Sequence, residues 1–316
     1  MSDLLRDGTL TVRGRLTEAS NATLYCEATD PVEAGPADGA VDAAAVAAAQ
    51  EDLLADLLED DADDEDFDED SDDEDEDEDE DDGYSDTVPK VEGLACVYKP
   101  IAGERPLWDF PDGTLAAREF AAYTVSEALG WDLVPRTVLR DGPYGPGMCQ
   151  QWVDVDEAAE QFLAVLPNRD ADRSGWCGII EVGLAGGGSG VLAHRDSPAL
   201  RRIALFDLVI NNADRKGGHV LPGPGGALYA IDHGVSFHVE DKVRTLLWGF
   251  AGREFTAAES ESLRRLRADP ALAGRLGELL AEEELAAFHA RLDDLLAQAR
   301  FPGPDGRARP IPWPPV

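Results

Sequence analysis

The chain has 316 residues, of which 65 are acidic and 27 are basic, so its formal net charge is −38. Residues 51–82 hold 24 of the acidic side chains and no basic one, which leaves 41 acidic against 27 basic residues elsewhere, a net charge of −14. Phosphates are neutralised by positive charge, so we expect neither nucleic acid nor an anionic membrane as the main partner. A nucleotide bound in a locally basic cleft is compatible with this charge.

The first ten residues lack the basic and apolar regions of a secretory signal, and no apolar run approaches the roughly 20 residues of a membrane helix. The four cysteines show no CxxC pair and no metal-ligand spacing: Cys26, Cys96, Cys149 and Cys177. We interpret them as buried, reduced thiols and expect a cytoplasmic protein.

Three strands are predicted in the first hundred residues from period-two alternation and extended character. They are residues 9–13, residues 22–26 after a turn at 18–21, and residues 93–99. Residues 30–89 are therefore predicted to be an insertion between two consecutive strands.

The insertion has two parts. Residues 41–58 carry Ala and Leu at helical spacing, which predicts a short surface helix or, alternatively, a helix that docks a partner. Residues 59–82 are nearly all Asp and Glu, and their self-repulsion and lack of apolar groups predict disorder. We interpret this tract as a solubilising loop. A polyanion mimic, a store of divalent cations and a docking site for a basic protein partner are the alternatives.

The rest of the chain changes from mixed to mainly helical character. A helix is predicted at 114–129 and two strands at 134–139 and 147–153, and helical candidates follow at 158–165, 198–211, 256–267, 271–280 and 283–299. The class is therefore α+β, and the order of elements is typical of a two-lobed protein-kinase-like fold. We predict a small β-rich N-lobe with one helix at 8–153, a larger, mainly helical C-lobe at 154–300 and a Pro-rich tail at 301–316.

Two residues of the predicted N-lobe suit nucleotide binding. Lys99 lies in the third strand, where a lysine normally points to solvent but could also hold nucleotide phosphates. Glu119 lies on the following helix and could pair with Lys99, although a solvated glutamate is the ordinary alternative.

Residues 206–221 run from an apolar helix into a polar loop that contains glycine. Asp214 in this loop is the candidate catalytic base, and Arg215 or Lys216 could offset charge on a transferred phosphoryl group. Asp232 ends a short strand and suits an oxygen ligand for Mg²⁺. Eighteen residues separate the two aspartates, which is enough for a loop and a hairpin that bring the carboxylates together.

These motifs resemble the phosphatidylinositol 3-/4-kinase-like superfamily, and more closely an actinobacterial branch of it. The resemblance is carried by residues 19–22 (ASNA), 98–104 (YKPIAGE), 212–219 (NADRKGGH) and 231–234 (IDHG). In that superfamily the catalytic loop reads Asp-Arg-His-x-x-Asn and the metal-binding turn reads Asp-Phe-Gly. The resemblance implies ATP as cofactor, with Lys99 on its phosphates, Asp214 as catalytic residue and Asp232 as ligand of Mg²⁺ or Mn²⁺. Toxin kinases of the HipA type share this scaffold.

The sequence departs from the superfamily pattern in three places. His219 stands where the superfamily has an Asn that binds a second metal, and imidazole suits Mn²⁺ or Zn²⁺ better than Mg²⁺. His233 replaces the Phe of the metal turn. No GxGxxG motif is present near the first turn, so backbone groups of residues 18–21, with Ser20 and Asn21, would contact the phosphates. A hinge is expected at residues 150–153, where backbone groups from Gln150 onward could meet adenine.

We therefore predict an ATP- and divalent-metal-dependent phosphotransferase (a kinase) that acts on a hydroxyl acceptor. A protein or small molecule is favoured over a lipid, because residues 235–253 carry three basic against two acidic side chains and the insertion is acidic. A nucleotide-binding pseudokinase that acts as a regulatory scaffold, and a purely structural interaction protein, are the alternatives. The triplet His194-Arg-Asp196 also spells a protein-kinase motif, but Arg201 follows five residues later instead of Asn, and we interpret Asp196 as a turn residue before a helix.

Overall fold

The computed structural model describes residues 3–16, 21–31, 91–167, 175–184 and 187–315. The predicted helix at 41–58, the acidic tract and Ser20 lie outside these ranges. The architecture is mixed α+β and divides into two compact units: Met1–Arg105 with Arg140–Cys149, and Pro106–Leu139 with Gln150–Val316. None of the helices in the described ranges combines the length and the apolar character that crossing a lipid bilayer requires.

The first unit is built on a five-stranded sheet. Its elements are α1 (Leu4–Asp7), β1 (Thr9–Arg15), β2 (Leu24–Thr29), β3 (Leu94–Pro100), β4 (Thr137–Gly142) and β5 (Gly145–Gln151). The strand order is β1-β2-β3-β5-β4, and the boundary between the units runs through β4 and near the end of β5. β2 pairs antiparallel with β3, with Ala28 opposite Leu94. The strands on either side of the predicted insertion are therefore direct neighbours.

Buried side chains on the strands form the core of this sheet. Cys26, Cys96 and Cys149 lie on β2, β3 and β5 and are buried, free thiols, and burial raises the pKa of Cys26 to about 12. The hydroxyl of Tyr98 donates to the carbonyl of Gly145 at 2.6 Å. A Cβ at Gly147 would approach the Tyr98 ring to 2.7 Å, so glycine is required beside this tyrosine.

The described part of the second unit contains five α-helices and two small sheets. The helices are α2 (Leu115–Leu129), α3 (Pro198–Ile210), α4 (Ala257–Arg267), α5 (Pro270–Gly277) and α6 (Glu282–Gln298). One sheet has the order β6-β8-β7, from β6 (Leu163–Pro167), β7 (Trp176–Gly183) and β8 (Ser189–Arg195). In the other sheet β9 (Val220–Pro222) pairs antiparallel with β10 (Leu228–Ala230).

Helix α3 is the centre of the second unit's core. Its residues 203–210 are all buried, and α2 and α6 both pack against it. Burying one Leu or Ile side chain contributes roughly 1.5–3 kcal/mol, so this helix is a large source of stability. Ser197 caps its first turn by accepting from the backbone N–H of Leu200. The end of this buried helix therefore gives the following loop a rigid support.

The observed division differs from the predicted one in three respects. Helix α2 belongs to the second unit, because Ala121, Ala122 and Val125 pack into the same core as α3. Residues 158–165 were predicted to be helical, which is wrong: a turn precedes β6, which pairs with β8. The Pro-rich tail was predicted as a separate segment, but its described residues belong to the second unit, where Phe301 is buried.

Candidate functional site

The Asp214 loop (residues 212–219) begins where α3 ends. Asn211 ends the helix in the left-handed conformation, with φ of 57°. Its side-chain nitrogen donates to the carbonyls of His238 and Glu240, and its side-chain oxygen accepts from the backbone N–H of Lys242. One buried amide therefore joins the start of the loop to the segment at residues 238–242.

A buried carboxylate on α3 holds the Asp214 loop. Asp207 is fully buried, and its carboxylate accepts from Arg215 Nε at 3.1 and 3.2 Å and from Asn212 Nδ2 at 3.0 Å. The hydroxyl of Thr245 donates to the same carboxylate at 3.2 Å. Buried charge is tolerated when it is paired and hydrogen-bonded in this way. Asp207 therefore anchors the loop at two positions, on either side of Asp214.

Arg215 is a positioning residue. Its Nη1 donates to the carbonyls of His219 and Ile231 at 3.0 and 2.7 Å, and its Nη2 donates to His233 Nε2 at 2.7 Å. The side chain has no exposed surface, and every guanidinium nitrogen has a partner within the unit. The prediction that Arg215 meets a phosphoryl group is wrong, because the guanidinium is enclosed. It joins the Asp214 loop to the Asp232 turn (residues 231–234).

The structure brings Asp214, Lys216, His219 and Asp232 together. His219 Nδ1 donates to the backbone carbonyl of Asp214 at 2.8 Å, and its Nε2 lies 3.3 Å from Asp232 Oδ2. Lys216 Nζ lies 3.5 Å from Asp214 Oδ2. The side chains of Asp214 and Asp232 are 33% and 44% exposed, so both carboxylates can meet a ligand from solvent.

The surroundings change the proton affinities of this cluster. Burial raises the pKa of Asp214 above its ordinary value, and the charge of Asp232 acts in the same direction, while Lys216 and His219 oppose it. Burial lowers the pKa of His219 and Arg215 acts in the same direction, while Asp232 and Asp214 oppose the shift without reversing it. His219 is therefore neutral near pH 7, with its proton on Nδ1 and the lone pair of Nε2 towards Asp232.

His219 and Asp232 are two side chains that could hold one divalent cation. Two acceptors, Nε2 and a carboxylate oxygen, face each other at 3.3 Å, an arrangement that a cation between them stabilises. A histidine that donates its other nitrogen to a backbone carbonyl is typical of metal ligands. In the ranges that the structure describes, no group of three or more His, Cys, Asp or Glu side chains is placed to hold an ion alone. Phosphate oxygens and water would complete such a site, as they do for nucleotide-bound Mg²⁺.

Glu119 supports the Asp232 turn from α2. Its Oε2 accepts from the backbone N–H of His233 at 2.8 Å. Because His233 Nε2 accepts from Arg215, its proton is on Nδ1, which lies 3.7 Å from Glu119 Oε2. Asp232 itself has a φ of 62°, which is uncommon for a residue with a Cβ. Buried partners on both sides of His233 therefore hold Asp232 in an unusual backbone conformation.

The predicted phosphate-binding residues lie in the first unit. Lys99 is on β3, and Asn21 precedes β2. Asn21 Oδ1 accepts from the backbone N–H of Arg105 at 2.8 Å, and the backbone N–H of Ala22 donates to Gly103 at 3.1 Å. The turn before β2 and the loop after β3 are therefore held together. The pairing of Lys99 with Glu119 stays a prediction.

Gln150 lies at the boundary between the two units. One of the points at which the chain passes from one unit to the other lies between Cys149 and Gln150. The hinge at residues 150–153 stays a prediction. The Gln150 side chain is buried and donates to the hydroxyl of Thr137 at 2.9 Å. The contact of adenine with this segment stays a prediction.

A separate cavity of about 630 Å³ lies beside the starts of α3 and α4. Arg201 in its wall pairs with Glu259, and Arg253 pairs with Asp196, the last residue of the His194-Arg-Asp196 triplet. The predicted catalytic residues do not line this cavity, so we do not assign it to the same site.

Two positioning residues were missed by reasoning from the sequence. Asp207 interrupts the apolar run at residues 203–210, and a single charge in such a run is a signal of a buried, paired group. Thr245 has no comparable signal, because its bond to Asp207 joins residues 38 positions apart.

The described residues thus define a mixed α+β protein in which two aspartates, a lysine and a histidine share one site. No protein-family model matches the sequence. The chain is 40% identical over 322 residues to Protein Rv2133c of Mycobacterium tuberculosis, with 98% of this chain and 94% of that protein covered, and it belongs to the same family.

Among solved structures, the Helicobacter pylori proinflammatory kinase CtkA matches with a TM-score of 0.34 and 11% identity, covering 67% of this chain and 86% of that one. At this TM-score the similarity carries no conclusion about fold or activity. Membership of the phosphatidylinositol 3-/4-kinase-like superfamily stays a prediction from the motifs.

Proposed function

We propose that this protein is a phosphotransferase of the kinase type, which uses ATP and a divalent cation and acts on a hydroxyl acceptor. The observation that carries the proposal is the convergence of Asp214, His219 and Asp232 in one solvent-accessible site. The buried Asp207–Arg215 pair holds the loop and the turn that bear these residues. We take the two units to correspond to the small and large lobes of a kinase-like fold.

In the proposed reaction the acceptor oxygen bonds to the γ-phosphorus, the bond from that phosphorus to the β–γ bridging oxygen breaks, and ADP leaves. Asp214 accepts the hydroxyl proton, a role that suits a carboxyl group whose pKa is raised by burial. Lys216, beside Asp214, offsets charge on the transferred group. Asp232 and His219 would hold the divalent cation, which would supply positive charge beside the phosphate groups.

The nucleotide-binding roles in this proposal are those predicted from the sequence. Lys99 and the turn at Ser20 and Asn21 are assigned to the phosphates, and the chain at Gln150 is assigned to adenine. Glu119 keeps a role that its own contacts support, since it holds the backbone of His233 next to Asp232.

A nucleotide-binding pseudokinase is the second candidate. His219 favours it, because an imidazole replaces the amide oxygen ligand of the superfamily and suits Mn²⁺ or Zn²⁺ better than Mg²⁺. For either candidate, a protein or small-molecule partner fits the acidic chain better than an anionic lipid.

Thermal unfolding with ATP and either Mg²⁺ or Mn²⁺, followed by transfer of labelled phosphate, tests the proposal. ATP at about 100 times its Kd stabilises the folded state by about 2.7 kcal/mol, which raises Tm by several degrees. Asp232→Asn should lose the metal-dependent part of this shift. Asp214→Asn should keep the shift but lose about 10²–10⁴-fold in transfer.

Asp196→Asn is the matched control, because Asp196 is an exposed aspartate outside the site. It should keep both binding and transfer. The absence of any nucleotide-dependent shift with every metal would contradict both candidates. Nucleotide binding with no transfer by the unaltered chain would favour the pseudokinase.

A further inference from the structure

The proline-rich segment (residues 301–315) is anchored in the core of the second unit at its start. Phe301 is buried, its N–H donates to the carbonyl of Arg253, and its carbonyl accepts from Gly252, each at 2.9 Å. Arg201 lies over the Phe301 ring, 4.6 Å from its centroid. The first residues of the segment are therefore part of the fold, and the question is what the later ones do.

The middle of the segment is held at one carbonyl. Pro310 accepts from the indole Nε1 of Trp248 at 2.8 Å and from the backbone N–H of Thr245 at 3.0 Å. Arg307 pairs with Asp241 and lies over the Trp248 ring, 5.2 Å from its centroid. Proline has no backbone N–H, so its carbonyl is the group that can fix such a segment by hydrogen bonding.

The end of the segment reaches the Asp214 loop. The carbonyl of Pro315 accepts from the backbone N–H of Gly217 at 2.9 Å, three residues beyond Asp214. A second connection runs through Thr245, whose N–H binds Pro310 and whose hydroxyl binds Asp207. Asp207 is the carboxylate that holds the loop. The segment thus contacts the loop directly at Gly217 and indirectly at its anchor.

We propose that the proline-rich segment is a positioning element for the Asp214 loop, with the carbonyls of Pro310 and Pro315 as its two attachments. It holds Gly217, and through the short loop it keeps Asp214 at a constant position relative to Asp232. The ordering of the loop follows from these bonds alone. The consequence for turnover rests on the proposed function.

The test measures hydrogen exchange at the Gly217 amide in the full chain and in three variants. A chain ending at Gly306 keeps Phe301 in the core but removes both attachments. Trp248→Phe removes one donor to Pro310 and keeps the ring under Arg307. Trp313→Phe is the control, because this side chain is 86% exposed and its replacement leaves every carbonyl in place.

The loss of one hydrogen bond should speed exchange at Gly217 about fivefold in the shortened chain, with a smaller increase in Trp248→Phe. Exchange in α3 should stay unchanged in both, and Trp313→Phe should match the unaltered chain. Unchanged exchange at Gly217 in the shortened chain would overturn the proposal. If that chain unfolds, Trp248→Phe decides: a selective increase at Gly217 supports the proposal and its absence overturns it.

Turnover separates this inference from the proposed function. If ATP is turned over, kcat should fall about tenfold or more in the shortened chain while KM for ATP changes little, because Asp214 and not the nucleotide site is displaced. If the unaltered chain shows no turnover, the proposed function fails while the exchange result still decides the role of the segment.

Discussion

At the scale of the residue, two adjacent cations have different roles. Arg215 has no exposed surface and bonds Asp207, His233 and two carbonyls, whereas Lys216 is 26% exposed and faces Asp214. The sequence alone does not distinguish the roles of these two residues, because both are basic and lie next to each other in a polar loop. Their roles differ because Asp207 on α3 lies within hydrogen-bonding distance of Arg215.

The first prediction compares Arg215→Met with Lys216→Met. Arg215→Met should lower the free energy of unfolding by about 3–5 kcal/mol, because it leaves the Asp207 carboxylate buried and uncompensated. Lys216→Met should change it by less than about 0.5 kcal/mol, as expected for a partly exposed ion pair. Urea unfolding measures both. Asp207→Asn combined with Arg215→Met should recover part of the loss, and equal losses in the two single variants would contradict the assignment.

The second prediction concerns pH and a histidine away from the site. His194 on β8 is buried, and in the part of the chain that the structure describes its Nε2 has no hydrogen-bond partner. Burial lowers the pKa of His194 from its ordinary 6.5 and Arg253 lowers it further, while the hydrogen bond from Nδ1 to the Arg195 carbonyl and the charge of Asp196 oppose the shift. Between the lowered pKa of the folded chain and about pH 6.5, the unfolded chain binds a proton here that the folded chain does not.

The free energy of unfolding should therefore fall as the pH drops below about 6.5, by up to about 1.4 kcal/mol per pH unit from this group. Above that pH the group contributes no pH dependence. Urea unfolding at several pH values measures how steeply the free energy of unfolding changes with pH. In His194→Leu this slope should be smaller by the contribution of one bound proton. An unchanged slope would show that His194 is protonated in the folded state as readily as in the unfolded one.

At the scale of the element, the helices follow from local pattern and the second sheet does not. α3, α4, α5 and α6 have apolar residues at helical spacing, with capping residues such as Ser197 and Thr256 at their starts. β6, by contrast, lies in a run that also suits a helix, and its pairing with β8 decides its conformation. Strand pairing joins residues that are distant in sequence, so its contribution to stability cannot be predicted from a local pattern.

The third prediction concerns the insertion between β2 and β3. The backbone N–H of Gly93 donates to the Glu27 carboxylate at 2.6 Å, and Ala28 pairs with Leu94. The ends of β2 and β3 next to the insertion are therefore bonded to each other directly. Replacing residues 34–88 by a short Gly-Ser linker should keep the fold and raise the free energy of unfolding by about 1–2 kcal/mol, since loop closure costs about 0.6 kcal/mol for each doubling of length.

Far-UV circular dichroism and urea unfolding measure this outcome. A second variant, with Ser and Gly in place of the acidic residues at unchanged length, separates the effect of charge from the effect of length. A loss of stability in the shortened chain would show that the insertion contributes to the folded state.

At the scale of the whole molecule, the charge of −38 describes the insertion more than the site. Residues 51–82 carry 24 of the 65 acidic side chains, while the site itself combines Asp214 and Asp232 with Lys216 and a neutral His219. A net charge of this sign opposes binding to an anionic lipid surface, and the prediction that such a surface is not a partner rests on it. It does not exclude a nucleotide in the site.

The sequence by itself determined the α+β class, the positions of the main helices and the strands that flank the insertion, and it singled out Asp214 and Asp232 as candidates. These features depend on local periodicity, caps and short motifs, which a sequence shows directly. The tertiary structure decided that α2 joins the second unit, that Arg215 is an enclosed positioning residue and that the proline-rich segment ends on Gly217. The physical reason is that burial and hydrogen bonding between distant residues determine a side chain's role, and only the folded chain brings those residues together.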